Sequence, residues 1–227
     1  IAAESAVLNG AADPTGLAAT GWFRYDTTDP GSCSYTFGTR APDKSGAELG
    51  AGASPVPYSQ AVTGLAPGTT YYYCAIAESG QRTSFGAVLS LTTKAGAPRV
   101  KTLVPTDVVS DAAVLSGAVV PSGAAATGWF RYSPTRPESC SDSFGTRAPA
   151  GEEQPLGAGL TAVTYSVALS GLKAGTTYYY CAIASNAQGT TYGELQSFVA
   201  GVGAPGVTTE GTTDVAPSSG TLVGTVA

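Results

Sequence analysis

Shifted against itself by 107 residues, the chain aligns without a gap: GWFRY at 21 meets GWFRY at 128, and FGTRAP at 37 meets FGTRAP at 144. Cys33 and Cys74 meet Cys140 and Cys181 in the same register. About half of the paired positions are identical, so whatever one unit folds into, the other folds into as well. Twice 107 is 214, and the last 13 residues accordingly replay the first 13, with Leu222 and Gly224 echoing Leu8 and Gly10. The stretch PGVTTEGTTD from 205 corresponds to PRVKTLVPTD from 98, and the first unit has no counterpart to either. The expected division is 1–94 for a first unit lacking its opening strand, 97–201 for a complete second unit, and 204–227 for the first strands of a third. Either the chain is a slice of a longer tandem array, or the tail of one subunit completes the first unit of the next by strand donation. The slice is preferred, because pure donation would need only the missing strand and this tail continues into another. A Gly-Ala-Pro joint and a threonine-rich strand are then expected ahead of Ile1.

Each unit breaks into short alternating runs separated by turn residues: SAVLNGA, TGWFRYD, CSYTFGT, YSQAVTGL, TTYYYCAIA and GAVLSLTT. That spacing predicts an all-β sandwich. Period two in the fifth run puts Tyr71, Tyr73, Ala75 and Ala77 on one face and Tyr72, Cys74, Ile76 and Glu78 on the other, with Glu78 marking the outer face. In GWFRY the same alternation sends Phe23 and Tyr25 inward and leaves Trp22 and Arg24 outside.

The stretch GLAPGTTYYYCAIA at 64 resembles the L-x-P-G-T-x-Y corner of fibronectin type III domains, above all the tandem kind of secreted bacterial proteins. The linker AGAPRVKT, the run DAAVLSGAVVPSG and the closing TTYGELQSF are similar to the same pattern, so the resemblance covers nearly the whole chain. It implies tandem immunoglobulin-like sandwiches of seven strands, with Tyr71 and Tyr178 as tyrosine-corner residues whose hydroxyls bond backbone across the turn. An immunoglobulin corner, with a Tyr two residues before a core Cys, would select Tyr72 instead. That pattern also wants the order Cys, Trp, Cys, whereas this chain runs Trp22, Cys33, Cys74, and the fibronectin register is preferred. The four cysteines depart from the family's usual cysteine-free pattern.

Since each unit carries one cysteine at each of two equivalent positions, the simplest pairing is Cys33 with Cys74 and Cys140 with Cys181. Closing a loop of about 41 residues stabilises by roughly 4 kcal/mol in the chain-entropy view. Bridges between neighbouring chains and a zinc site pooling four thiols stay open as alternatives, the latter without any C-x-x-C pair. Disulfides of either kind imply an oxidising compartment, and the expected location is extracellular or at a cell surface.

Trp22, Arg24, Tyr72, Cys74 and Ile76 should share one sheet surface, with Trp129, Arg131, Tyr179, Cys181 and Ile183 as the copies. Such a face would stack on a sugar ring or grip a neighbouring chain. The blander expectation, and the preferred one, is that the segment from Asp26 to Pro55 folds across it and hides the tryptophan.

The chain contains no His, which removes the commonest general base and metal ligand. No G-x-S-x-G, P-loop, H-E-x-x-H or calcium-loop pattern occurs, so neither catalysis nor a cofactor or metal is expected. A net charge of -5 disfavours nucleic acid, and no apolar run approaches the roughly 20 residues of a spanning helix. The functional expectation is a structural, non-catalytic filament or stalk of end-to-end sandwiches, whose partners are its own copies or neighbouring repeats. The alternative is an adhesin or a carbohydrate-binding accessory module with a glycan or surface partner.

Overall fold

The computed structural model describes residues 1–80 and 82–201, and of the tail the backbone pairing of 207–216 with 219–226. The described residues form strands and connecting turns, arranged as two sandwiches and a hairpin. In the first sandwich β1 (Ser5–Ala12) pairs antiparallel with β5 (Val56–Thr63). The facing sheet is centred on β2 (Ala19–Asp26) and β6 (Thr70–Ser79). Short strands β3 (Thr39–Ala41) and β4 (Ala47–Gly50) extend it beside β2, and β7 (Arg82–Phe85) and β8 (Leu89–Thr92) beside β6.

The second sandwich repeats this plan with β10 (Ala112–Val120), β11 (Ala126–Ser133), β12 (Thr146–Ala148), β13 (Gln154–Gly157), β14 (Val163–Ser170), β15 (Thr177–Asn186), β16 (Gly189–Tyr192) and β17 (Gln196–Val199). It has one strand more, β9 (Arg99–Thr106), which pairs with the outer edge of β10. The run CSYTFGT, expected as a strand, is mostly a turn: pairing begins only at Thr39, where β3 meets β2. Cys33 is held by a covalent bond to β6, and that constraint leaves residues 34–38 no straight path along the sheet edge.

Alternation governs the packing. Phe23, Leu8, Leu49, Tyr58 and Val62 form the inner core of the first sandwich, with Tyr71, Tyr73, Ala75 and Ala77 packed against it. The equivalent core of the second is built on Phe130, Leu115, Val119, Tyr165 and Tyr180. The Tyr58 ring lies tilted against Phe23 with centroids 5.0 Å apart, and its hydroxyl donates to the Ile76 carbonyl at 3.0 Å. It lies over Gly21, where a Cβ would come within 2.8 Å of the ring, so only glycine lets the tyrosine reach its acceptor. Tyr165 makes the same bond to Ile183 at 2.9 Å over Gly128.

Burial pushes the phenol pKa of Tyr58 up to about 12, and that of Tyr180 likewise to about 12. Desolvation also raises that of Tyr165. Each folded pKa exceeds the unfolded value of about 10, so between the two the unfolded chain binds fewer protons. Stability is therefore full below about pH 10 and falls as pH rises toward 12. In an alkaline titration followed at 295 nm and by circular dichroism, these buried tyrosines should ionise only together with loss of structure. Ionisation of every tyrosine near pH 10 with the fold intact would contradict this placement.

Candidate functional site

The register of β2 and β6 sets Trp22 opposite Ile76 and Arg24 opposite Cys74, on the face turned away from the inner core. That face is covered. Trp22 is 4% exposed, packed with Phe37, Cys74 and Ile76, and Trp129 is equally buried against Cys181 and Ile183. The preferred expectation of a covered face is what the structure has, and Trp22 and Trp129 form no exposed platform: the segment after β2 lies across Trp22 and the segment after β11 across Trp129. Three contacts hold it there in the first sandwich. Cys33 is disulfide-bonded to Cys74 with 5.9 Å between Cα atoms. The Arg24 guanidinium donates to the Gly38 carbonyl at 2.9 Å, and Arg40 lies over the indole, 4.7 Å from its centroid. The second sandwich has Cys140 bonded to Cys181, and Arg147 over Trp129 at 4.4 Å. Neither arginine over the indole was singled out from the sequence, although both stand in the repeated FGTRAP.

With all four cysteines in disulfides, a zinc site pooling their thiols is also corrected. Among the described residues no group of three or more His, Cys, Asp or Glu is placed to hold a metal ion. Tyr72 and Tyr179 are half-buried, Arg136 lying 5.9 Å from the ring centroid of Tyr179. At the corners, the Ala66 N–H donates to the Tyr71 hydroxyl at 2.9 Å and the Lys173 N–H to that of Tyr178 at 3.0 Å.

The two tryptophans differ in one respect. Trp129 Nε1 and Arg131 Nε both donate to Asp142 Oδ1, at 2.7 and 3.0 Å. The equivalent of Asp142, at 142 − 107 = 35, is Tyr35. It supplies no carboxylate, and Trp22 Nε1 and Arg24 Nε are buried without a partner. Tyr35 turns outward, with its ring edge-to-face against Phe85 at 5.4 Å and its hydroxyl bonded to Thr83.

A second built feature is the joint between sandwiches. The Asn186 carboxamide donates to the Gly96 carbonyl at 2.8 Å and to Pro121 at 3.0 Å, and the Gly96 N–H donates to Ser122 at 2.9 Å. Thr191 adds a bond from its hydroxyl to the Pro98 carbonyl at 2.6 Å. Gly68 of the first sandwich and Gly123 of the second meet so closely that a Cβ on Gly68 would fall 2.8 Å from the other's Cα. Neither Asn186 nor this glycine pair was flagged by pattern, since Asn186 stands where the first unit has Ser79.

The third feature is an open edge. In the second sandwich Tyr180, Ala182 and Ala184 are fully buried, whereas their equivalents Tyr73, Ala75 and Ala77 are only partly covered. A cleft of about 720 Å³ runs there, between Ala11, Tyr58, Ala75, Ala77, Phe85 and Gly86.

No protein-family model matches the chain, and no curated protein matches it. Among solved structures it is similar to the crystal structure of chicken CNTN1 FN1–FN3 domains, at a TM-score of 0.51 and 14% identity. The match covers 95% of this chain and 67% of that one. At such identity the likeness speaks for the fold alone, and the fold is that of tandem fibronectin type III-like sandwiches.

Asp142→Ala should destabilise the second sandwich by about 2 kcal/mol, since two buried donors lose their shared acceptor at once. Urea unfolding followed by tryptophan emission measures it. A loss no larger than that of Tyr35→Ala, whose donors are already unpartnered, would show that the carboxylate contributes nothing there.

Proposed function

We propose that the chain is a structural, non-catalytic segment of an extracellular rod or filament, built from sandwiches coupled end to end, of the kind found in tandem in secreted bacterial proteins. The joint carries this reading. A flexible tether would leave the linker carbonyls to water, whereas here Asn186 binds Gly96 and Pro121 together and a glycine pair brings backbone against backbone. Pro98 fixes φ at the same point and disfavours helical geometry just before it. Two disulfides and a fibronectin type III-like fold are typical of extracellular domains, which supports the location. Length would come from copy number, and resistance to stretching from strands and disulfides within each unit.

The adhesin or carbohydrate-binding reading keeps one supporting observation. Tyr35 and Phe85, 43% and 45% exposed, form an aromatic pair on the first sandwich that is open to a sugar ring or a surface. The tryptophans themselves would not take part.

A coupled joint predicts a narrow distance distribution between the sandwiches. Spin labels on exposed sites of each, read by electron–electron resonance, should give one sharp distance that Asn186→Ala broadens, with unfolding of either sandwich unchanged. A distribution already broad in the native chain would remove the rod.

A further inference from the structure

The two disulfides are alike in place and differ in surroundings. In the first sandwich Cys74 stands opposite Arg24 in the β2–β6 ladder, and in the second Cys181 stands opposite Arg131 in the β11–β15 ladder. Directly opposed residues share one face of the sheet with Cβ atoms about 5 Å apart, so each buried sulfur has an arginine for its neighbour. Arg131 is neutralised, its Nε lying 3.0 Å from Asp142 Oδ1. Arg24 is not: Tyr35 stands at the position of Asp142, and Arg24 Nε is buried without a partner. The carboxylate next along β2, Asp26, is committed to its own turn, where its Oδ1 accepts from the N–H groups of Thr27 and Thr28 at 2.6 and 3.3 Å.

That difference bears on how easily each bond is exchanged. A thiolate attacking Cys33 Sγ forms a new S–S bond there, and the electron pair of the old bond leaves on Cys74 Sγ as a thiolate. A guanidinium with uncompensated charge stabilises the departing anion, and one already paired to a carboxylate does so less. Access favours the same sulfur. Cys74 is 1% exposed, whereas Cys33 is half-buried and lines a cleft of about 470 Å³ whose walls include Gly31, Ser32 and Val88. Once Cys33 is released, residues 34–38 have no carboxylate to hold them over Trp22. The second cover would keep Asp142, bonded to Trp129 and Arg131, and Glu153, which accepts from the Thr127 hydroxyl at 2.6 Å and pairs with Arg147 at 2.8 Å.

We propose that Cys33–Cys74 is a thiol-sensitive switch, opened at Cys33 by a low-molecular-weight thiol while Cys140–Cys181 stays closed. The first thiol forms a mixed disulfide with Cys33, and a second thiol resolves it. Two thiols are thereby oxidised to their disulfide, Cys33 and Cys74 are reduced, and the protons of the two thiols end on the two cysteines. Opening uncovers Trp22 and Ile76 on the outer face. The inner core stays in place, because neither cysteine belongs to it.

The test exposes the full 227-residue chain to reduced glutathione near neutral pH without denaturant, traps free thiols with iodoacetamide at intervals, and reads the four cysteines by peptide mass spectrometry. Cys33 and Cys74 should be alkylated about tenfold faster than Cys140 and Cys181. Tyr35→Asp, which supplies the missing carboxylate, should slow the first pair toward the second. Asp142→Asn, which keeps an acceptor for Trp129 and removes the charge, should speed the second pair toward the first. Reading the charge in both sandwiches separates it from any difference in their overall stability. Selective opening should also raise acrylamide quenching of tryptophan emission to the level of one exposed indole out of two. Equal rates at the two bridges, rates that neither substitution moves, or indoles that stay shielded after the first bridge is cut would each overturn the switch. None of these results touches the coupled joint, which the spin-label distances measure.

Discussion

Each sandwich depends on a central strand covered on both faces, fully in β15 and only partly on the inner face of β6. β6 and β15 present tyrosines and alanines to the inner core and cysteine and isoleucine to the other side. In an ordinary antiparallel sandwich that second side would meet water. Here a disulfide pins the following loop across it, and the loop brings an arginine over the indole and a phenylalanine against the sulfur. A small fold thereby gains a second hydrophobic cluster that two thin sheets would not otherwise supply, and the covalent tie limits the chain entropy working against it. The usual reasoning that an outward Trp beside an Arg marks a ligand face fails for that reason.

Differences between the copies are as informative as the repeat. Asp142 gathers two buried donors in the second sandwich, whereas Tyr35 leaves them unmet and faces outward instead. Asn186 clamps the linker carbonyls, and its counterpart Ser79 reaches only the Pro14 and Leu17 carbonyls of its own sandwich, at 3.5 and 3.4 Å. The first unit leaves Trp22 Nε1 and Arg24 Nε without a partner while keeping the inner core.

Much of this was legible beforehand. Strand runs and inner and outer faces follow from period two and from turn residues, which act locally and need no knowledge of what packs where, while the corner tyrosines are what the resemblance to fibronectin type III domains implies. That residues 27–55 cover Trp22 was expected, but the detailed course they take was not legible, because few of them alternate and it is set by a bond to a strand about 40 residues away. CSYTFGT has the composition of a strand, and the sulfur tie overrides it. Asn186 and Gly68 gave no signal either: a single polar residue and one more turn glycine look ordinary until a second sandwich approaches them.

By itself, then, the sequence determined the periodic part of this protein: an all-β unit of 107 residues, its inward residues and its cysteine positions. Those features are encoded by local alternation and by the chain's own repetition. Tertiary structure alone decided that an arginine lies over each indole, that Asp142 serves two donors, and that Asn186 and a glycine pair make the joint. Each of these is a contact between segments distant in the chain, and sequence spacing carries no information about which distant groups will meet.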